Sequence, residues 1–294
     1  MTSAVLPRHV RHGATAAGQF SVQISAESAG WAYSGLRVLS LAEGGRANFP
    51  TGDDELIVLP LTGSAAVTCD GVTFTLQGRR SPFAAVSDFA YVPRDAEVTV
   101  ESAPGGRFAL PSARATRRLP FRYVAAVDVP IELRGAGQAS RQVNNFCAPS
   151  AFAADRLIAV EVLTPGGNWS SYPPHKHDLE SDVESALEEI YYFEVADGPT
   201  PGVGPGLAYQ RVYGTPERPA DVLAEVRSGD VVIIPHGWHG PSMAVPGYDL
   251  YYLNVMAGPG RREWLICDDP AHSWVREQWK DQQVDPRVAT WRQR

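Results

Sequence analysis

The brevity of the apolar runs is what most limits the folds open to this chain. Leu36–Ala42, Leu56–Leu61, Ala65–Cys69, Val72–Leu76, Phe89–Val92, Glu97–Val100 and Arg107–Leu110 follow one another closely. Only turn tokens separate them, among them Gly44-Gly45, Cys69-Asp70-Gly71 and Pro104-Gly105-Gly106. Sustained helical periodicity is scarce. Short strands at close spacing, joined by Gly and Pro turns, indicate an all-β sandwich or barrel.

Residues 112–140 interrupt this rhythm with a basic cluster (Arg114, Arg117, Arg118, Arg122) and the Gly135-Ala136-Gly137 turn, read as a crossover. Strand signals resume at Leu157–Leu163, Glu189–Val195, Gln210–Tyr213, Ala220–Val226, Val231–Ile234 and Asp249–Val255. Two domains are therefore expected, at 1–125 and 126–294. Residues 196–206 read as a surface loop, and the tail from Pro270, with Trp274, Trp279 and Trp291, as short helix packed back on the body. The halves echo each other. Asp54-Glu55-Leu56-Ile57-Val58-Leu59 is similar to Glu188-Glu189-Ile190-Tyr191-Tyr192-Phe193, and Asp88–Pro93 to Asp230–Pro235. This suggests two barrels of one design.

Composition narrows the function classes. A chain of 294 residues suits two domains, and a net charge of −7 argues against coating nucleic acid or an anionic membrane. The N-terminal stretch lacks the apolar core of a signal peptide, and no run approaches the ~18 apolar residues of a membrane span. Cys69, Cys147 and Cys267 are odd in number and far apart, as in reduced thiols. A cytoplasmic protein is expected, without nucleic-acid or membrane partners; an oligomer, such as a homo-oligomer paired through an edge strand, would suit the β-rich fold.

Four of the seven histidines lie in two clusters, His175-Lys176-His177 and Pro235-His236-Gly237-Trp238-His239. Residues i and i+2 of a strand share a face, so His175 and His177 can aim both rings into one interior. Glu189 opens the next strand and can add a carboxylate. His239, after the Gly237 turn, can add a third nitrogen. Three imidazoles and a carboxylate suit a catalytic divalent metal with open positions. Alternation sends one of Glu188 and Glu189 inward; Glu189, directly before the Ile190–Phe193 run, is favoured, with Glu188 as the alternative.

His-x-His, the downstream Glu and the Gly229-Asp230…Pro235-x-Gly237-x-His239 pattern resemble the two metal-binding motifs of the cupin superfamily. Arg141–Asn145, Thr164–Asp178, Gln210–Tyr213 and Tyr248–Gly258 further resemble the 5-deoxy-glucuronate isomerase family of inositol catabolism. The resemblance implies a bicupin, two jelly-roll barrels in one chain. It implies an aldose–ketose isomerase converting 5-deoxy-D-glucuronate to 5-dehydro-2-deoxy-D-gluconate. The metal ligands carried over are His175, His177, Glu189 and His239. One divalent ion per chain is expected, zinc or manganese ahead of iron, cobalt or nickel. The N-terminal half has no counterpart ligands: Asn48–Asp53 stands where His-x-His would lie, and no histidine follows Val92-Pro93.

An anionic sugar acid needs local cations in an acidic protein, and Lys176 and Arg211 are the nearest in sequence. Tyr172, Gln210, Tyr213, Tyr251 and Asn254 are candidates to line the cavity. Asp178 and the second glutamate are the carboxylates considered for the base. A metal-dependent dioxygenase and a non-catalytic sugar-binding or regulatory cupin are the competing functions. His236 is expected to cap its turn, and His9 and His12 to sit in a mobile N-terminus.

Overall fold

The computed structural model describes residues 5–198 and 204–290, so Trp291 and residues 199–203 of the expected loop lie outside the described residues. The N-terminal half is built around one long strand, Asp54–Cys69. Its first part joins Arg122–Val124, Phe89–Val92, Gly106–Arg114, Ser34–Leu41 and Phe20–Ile24. Its second part bends away to pair with Val72–Arg79 and Glu97–Ser102, and the latter pairs with Gly45–Pro50. The sequence pattern breaks this strand at Thr62-Gly63-Ser64, but the chain passes through with register shifts between Pro60 and Thr62 and between Gly63 and Ala65.

The C-terminal half is two facing sheets. The larger runs His9–Val10, Val231–Ile234, Glu188–Val195, Leu250–Ala257, Ile158–Thr164, Arg141–Asn144, Ile131–Arg134. The smaller runs Asp221–Val226, Ala208–Tyr213, Trp238–Ala244, His175–Lys176, Cys267–Asp268, with Trp169–Ser170 beside Trp238–Ala244. Residues 112–140 are more regular than a simple crossover: Arg122–Val124 ends the first half and Ile131–Arg134 already belongs to the second. His9 and His12 correct the expectation of a mobile N-terminus. The His9–Val10 strand pairs with Val231–Val232 of the other half, and Asp230 accepts from His12 N–H at 2.8 Å and contacts His9 Nε2 at 3.1 Å. The tail carries short helices at Val275–Gln278 and Pro286–Thr290.

The large sheets of the two halves pack face to face, so both faces of their central strands are buried. In Glu188–Val195, Tyr191 and Phe193 enter the core inside the C-terminal barrel, while Ile190 and Tyr192 enter the core between halves. In Asp54–Cys69, Leu56 and Val58 point into the N-terminal barrel, and Ile57 and Leu59 into the shared core. Leu56 pairs with Val92 as Glu189 pairs with Ile234, each just before a proline. The matching residues are thus Leu56 with Glu189 and Glu55 with Glu188. The sequence echo was one residue out of register, and a one-residue slip exchanges the faces of a strand.

Glu55 and Glu188 accordingly do the same work in opposite directions. Glu188 accepts hydrogen bonds from the backbone N–H groups of Ala32, Tyr33 and Ser34 at 2.8, 2.8 and 2.9 Å. Glu55 accepts from those of Asp155, Arg156 and Leu157 at 2.9, 2.6 and 2.7 Å. Each carboxylate holds a loop of the opposite half. Between them Arg79 makes a two-pronged bond to Glu161, both side chains fully buried, with Asn144 adding a third donor at 2.7 Å.

Two expectations follow. Glu161→Ala strands the Arg79 guanidinium and should lower unfolding free energy by about 3–5 kcal/mol, read as a shift in the urea midpoint, while Arg79→Met with Glu161→Leu restores most of it. An unchanged midpoint in the single variant contradicts this. Asp155 is pushed up by burial but held down to about 2 by hydrogen bonds from Arg117 and Thr116. A depressed carboxylate contributes stability above its ordinary 3.8 and loses it as pH falls through about 2. The deficit in melting temperature of Asp155→Asn against the parent protein should therefore close on acidification across that window.

Candidate metal centre

The small sheet and the large sheet each deliver part of one cluster. His175 is directly opposite His239 in the antiparallel ladder, and Glu189 reaches across from the facing sheet. Gly237 starts the turn before His239 with φ +94°, where a Cβ would lie 2.7 Å from the Tyr213 carbonyl oxygen, so only glycine fits without strain. Its N–H donates to Asp178 at 2.9 Å, tying the turn to the His-x-His segment. His177 Nε2 and His239 Nε2 lie 3.1 and 3.0 Å from the same oxygen, Glu189 Oε2. His175 stands slightly outside this compact trio, its ring 4.5 Å from that of His239 and 6.5 Å from that of His177, centre to centre.

The backbone decides the tautomers. Nδ1 of His175, His177 and His239 lies within 3.2, 3.3 and 3.2 Å of the carbonyls of Pro173, Leu187 and Gly237. A carbonyl can only accept, so each Nδ1 carries a proton and donates, and in the neutral rings the Nε2 atoms are left with lone pairs. His239 Nε2 is buried without a hydrogen-bond partner. Lone pairs converging on a carboxylate repel one another unless a cation lies among them. Burial works against charge on Glu189, but the imidazoles of His239 and His177 hold its carboxyl below the usual range. Burial and its two neighbouring imidazoles hold His175 well below the usual imidazole value. Burial lowers His177 too, but the Glu189 carboxylate beside it raises it above the usual imidazole value, so a cation must displace that proton. With the rings neutral the set is imidazole nitrogen plus carboxylate oxygen, each ring oriented by a second hydrogen bond, and it fits a divalent cation.

Tyr191, two residues on from Glu189, faces the same interior, its ring 6.1 Å from that of His239. Its hydroxyl bonds Ser171 Oγ at 2.9 Å, and Ser171 Oγ bonds the Tyr252 hydroxyl at 3.1 Å. This row of hydroxyls was not anticipated, although the alternation that turns Glu189 inward also turns Tyr191 inward. Asn254 pairs with Tyr191 across the sheet on that face.

Other expected residues fall elsewhere. Lys176 faces away from the imidazoles, bonded to Asp178 at 2.9 Å and to both oxygens of Glu184 at 2.7 Å. Arg211 is on the outer side of its strand, held by Asp221 and by the carbonyls of Val212 and Val222. Gln210 is buried and accepts from Ser242. Tyr213 donates to Asp269, and Tyr172 packs between Trp169 and His272. Tyr251 is a correction: odd-numbered residues of Leu250–Ala257 point to the shared core, and Tyr251 meets Phe83 and Arg79 there. Glu188 and Asp178 are also spoken for, the first on the far face of the sheet and the second by Lys176, Arg218 and Gly237. His236 reaches the Pro219 carbonyl rather than the cluster.

A jelly-roll barrel presenting His, His, Glu and His inward, joined through its back to a second barrel of like design, is a bicupin. The solved structures agree. An IolB-like protein from Salmonella typhimurium LT2 superposes with TM-score 0.84 at 34% identity, covering 92% of this chain and all of that one. Oxalate decarboxylase of Lactobacillus farciminis shares the fold at TM-score 0.60 and 12% identity, covering 90% of this chain and 89% of that one. The KduI/IolB family model matches residues 8–275, and the chain belongs to that family. It is 41% identical over 259 residues to the 5-deoxy-glucuronate isomerase of Geobacillus kaustophilus strain HTA426, covering 87% of this chain and 90% of that protein. It is 38% identical over 258 residues to that of Bacillus subtilis strain 168, covering 87% and 92%.

The adjacent glutamates should separate cleanly on substitution. Glu189→Ala is expected to abolish stoichiometric divalent metal by elemental analysis. Glu188→Ala should keep the metal but lower unfolding free energy by about 1–3 kcal/mol, because the N–H groups of Ala32, Tyr33 and Ser34, the last two partly buried, lose a charged acceptor. Metal lost from the second variant and kept by the first would reverse the assignment.

Proposed function

We infer that the chain is a metal-dependent aldose–ketose isomerase acting on 5-deoxy-D-glucuronate to give 5-dehydro-2-deoxy-D-gluconate, the activity its relatives are named for. The observation that carries the metal is the convergence of His177 Nε2 and His239 Nε2 on one Glu189 oxygen inside the barrel, with the His175 ring beside that of His239. His175, His177, Glu189 and His239 would hold the ion, and the N-terminal barrel, with Leu56 in the place of Glu189, would hold none. A bound divalent cation supplies Lewis acidity toward the carbonyl and its neighbouring hydroxyl. Imidazole and carboxylate ligands accept zinc, manganese, iron, cobalt or nickel, with zinc or manganese preferred here.

The chain's own groups do the rest. Isomerisation moves a proton between adjacent carbons through an enediol, so donors must face the developing oxygen charge. Burial raises the phenols of Tyr191 and Tyr252 above their ordinary value, so both stay protonated and able to donate. Phe193 and Tyr252 are buried and pack at 6.1 Å between centres in the same core as Tyr191. Neither Asp178 nor Glu188 is placed to take the proton. No helix among the described residues is long and apolar enough to cross a membrane, and Cys69, Cys147 and Cys267 are unpaired, which supports a cytoplasmic enzyme.

The test is anaerobic turnover. Purified protein loaded with one equivalent of metal should interconvert the aldehyde and ketone forms without oxygen. Chelation should abolish the activity, and occupancy should fall on acidification through the imidazole range, because the ligands must be deprotonated. An obligate oxygen requirement would favour the dioxygenase reading instead, and metal-loaded protein without turnover would defeat the isomerase.

A further inference from the structure

The inferred substrate is a carboxylate, and the two cations nearest the ligands in sequence, Lys176 and Arg211, are both neutralised by acids. Arg141 is different. It opens the strand Arg141–Asn144, and alternation places it on the face of Val143, which belongs to the core inside the metal-binding barrel. Gln142 and Asn144 take the other face, where Asn144 donates to Glu161. Arg141 is only 5% exposed. Among the described residues its guanidinium makes one hydrogen bond, from Nη1 to the Ala139 carbonyl at 2.9 Å, and lies 5.6 Å from the centre of the Trp279 ring.

No carboxylate among the described residues bridges to it. Glu132, on the neighbouring strand, is engaged by Arg134 at 2.8 and 2.7 Å, and Asp268 is held by Arg276. Burial draws the Arg141 pKa down to about 10, which leaves it charged at neutral pH. A planar fork of five donors, buried with its charge uncompensated, is costly unless an anion completes it.

A cleft of about 450 Å³ adjoins this group, between the barrel and the C-terminal tail. Its walls include Trp169, Tyr172, Trp274, Trp279 and Gln138, and no acidic side chain lines it. Two of its walls, Ala139 and Trp279, are the residues that touch Arg141. A third, Tyr172, leads through Pro173 and Pro174 to His175. Aromatic faces suit the C–H faces of a sugar ring or chain. The Tyr252 hydroxyl, from the same barrel core as Val143, begins the row through Ser171 to Tyr191 beside the imidazoles. Val143, Tyr191 and Tyr252 share the core inside this barrel, on the face to which alternation assigns Arg141.

We propose that Arg141 binds the carboxylate of the sugar-acid substrate, which reaches it through the cleft formed by Trp169, Tyr172, Trp274 and Trp279. The proposal rests on the isomerase reading and assigns the specificity for an acid within it. A guanidinium meets a carboxylate through two parallel bonds, which an ammonium cannot reproduce.

The test pairs turnover of the uronic acid with calorimetric titration of the metal-loaded protein by D-gluconate and by D-glucitol, its neutral counterpart. Arg141→Gln should weaken gluconate binding about 100-fold and Arg141→Lys about 10-fold, with glucitol unmoved in both. KM for the uronic acid should rise in the same order while metal content stays stoichiometric. Because Arg141 also braces the Gly135–Ala139 turn, melting temperature is read alongside; if the glutamine variant does not fold, the lysine variant carries the test. Gluconate affinity equal to the parent protein's in the folded variant overturns the proposal while leaving the isomerase intact. A parent protein that neither converts the uronic acid nor distinguishes gluconate from glucitol overturns both.

Discussion

The two-residue alternation of Glu188–Val195 is the constraint from which the rest of the molecule follows. This strand has no solvent face. One side looks into the C-terminal barrel and the other into the partner half, so each successive side chain must be right for a different interior. Glu188 and Glu189 are chemically alike and one residue apart, yet one anchors a backbone loop of the N-terminal half and the other meets the imidazoles of His177 and His239. A shift of one position would bury each carboxylate among the wrong partners, where an unpaired charge is costly.

The same logic explains why one barrel carries the imidazole–carboxylate cluster and the other, at the matching position, carries Leu56. The halves agree at the positions that face each other: Glu55 answers Glu188, and Ile57 answers Ile190 in the shared core. They diverge at the positions that face inward, where Leu56 replaces Glu189 and an all-apolar cluster fills the N-terminal barrel. The N-terminal barrel covers the back of the sheet that carries Glu189, and its Arg79 neutralises Glu161 there. The N-terminal strand His9–Val10 reinforces the arrangement by completing the edge of the opposite sheet.

Much of this was legible in the residues. Strand-sized runs between Gly and Pro turns announced an all-β chain, and Phe89–Val92 and Val231–Ile234 appear where the pattern put them. Strands with weak signals were missed. Trp238–Ala244 contains Gly240-Pro241, which reads as a turn, yet Gly240 is there because a Cβ would sit 1.8 Å from the Ser171 carbonyl oxygen. A short strand such as Arg141–Asn144 lacks the apolar length to announce itself, since its ladder comes from a distant segment.

By itself the sequence determined the β architecture, the identity of four metal-ligand candidates and the family, because periodicity and motif spacing are local properties. Only the tertiary structure decided which way each side chain points and what answers it. It sent Tyr251 to the core between halves and paired Lys176 with Asp178 and Glu184. It also left Arg141 buried and uncompensated beside an aromatic cleft. Whether a charge is free to act depends on neighbours brought from far along the chain, and that pairing is a property of the folded interior alone.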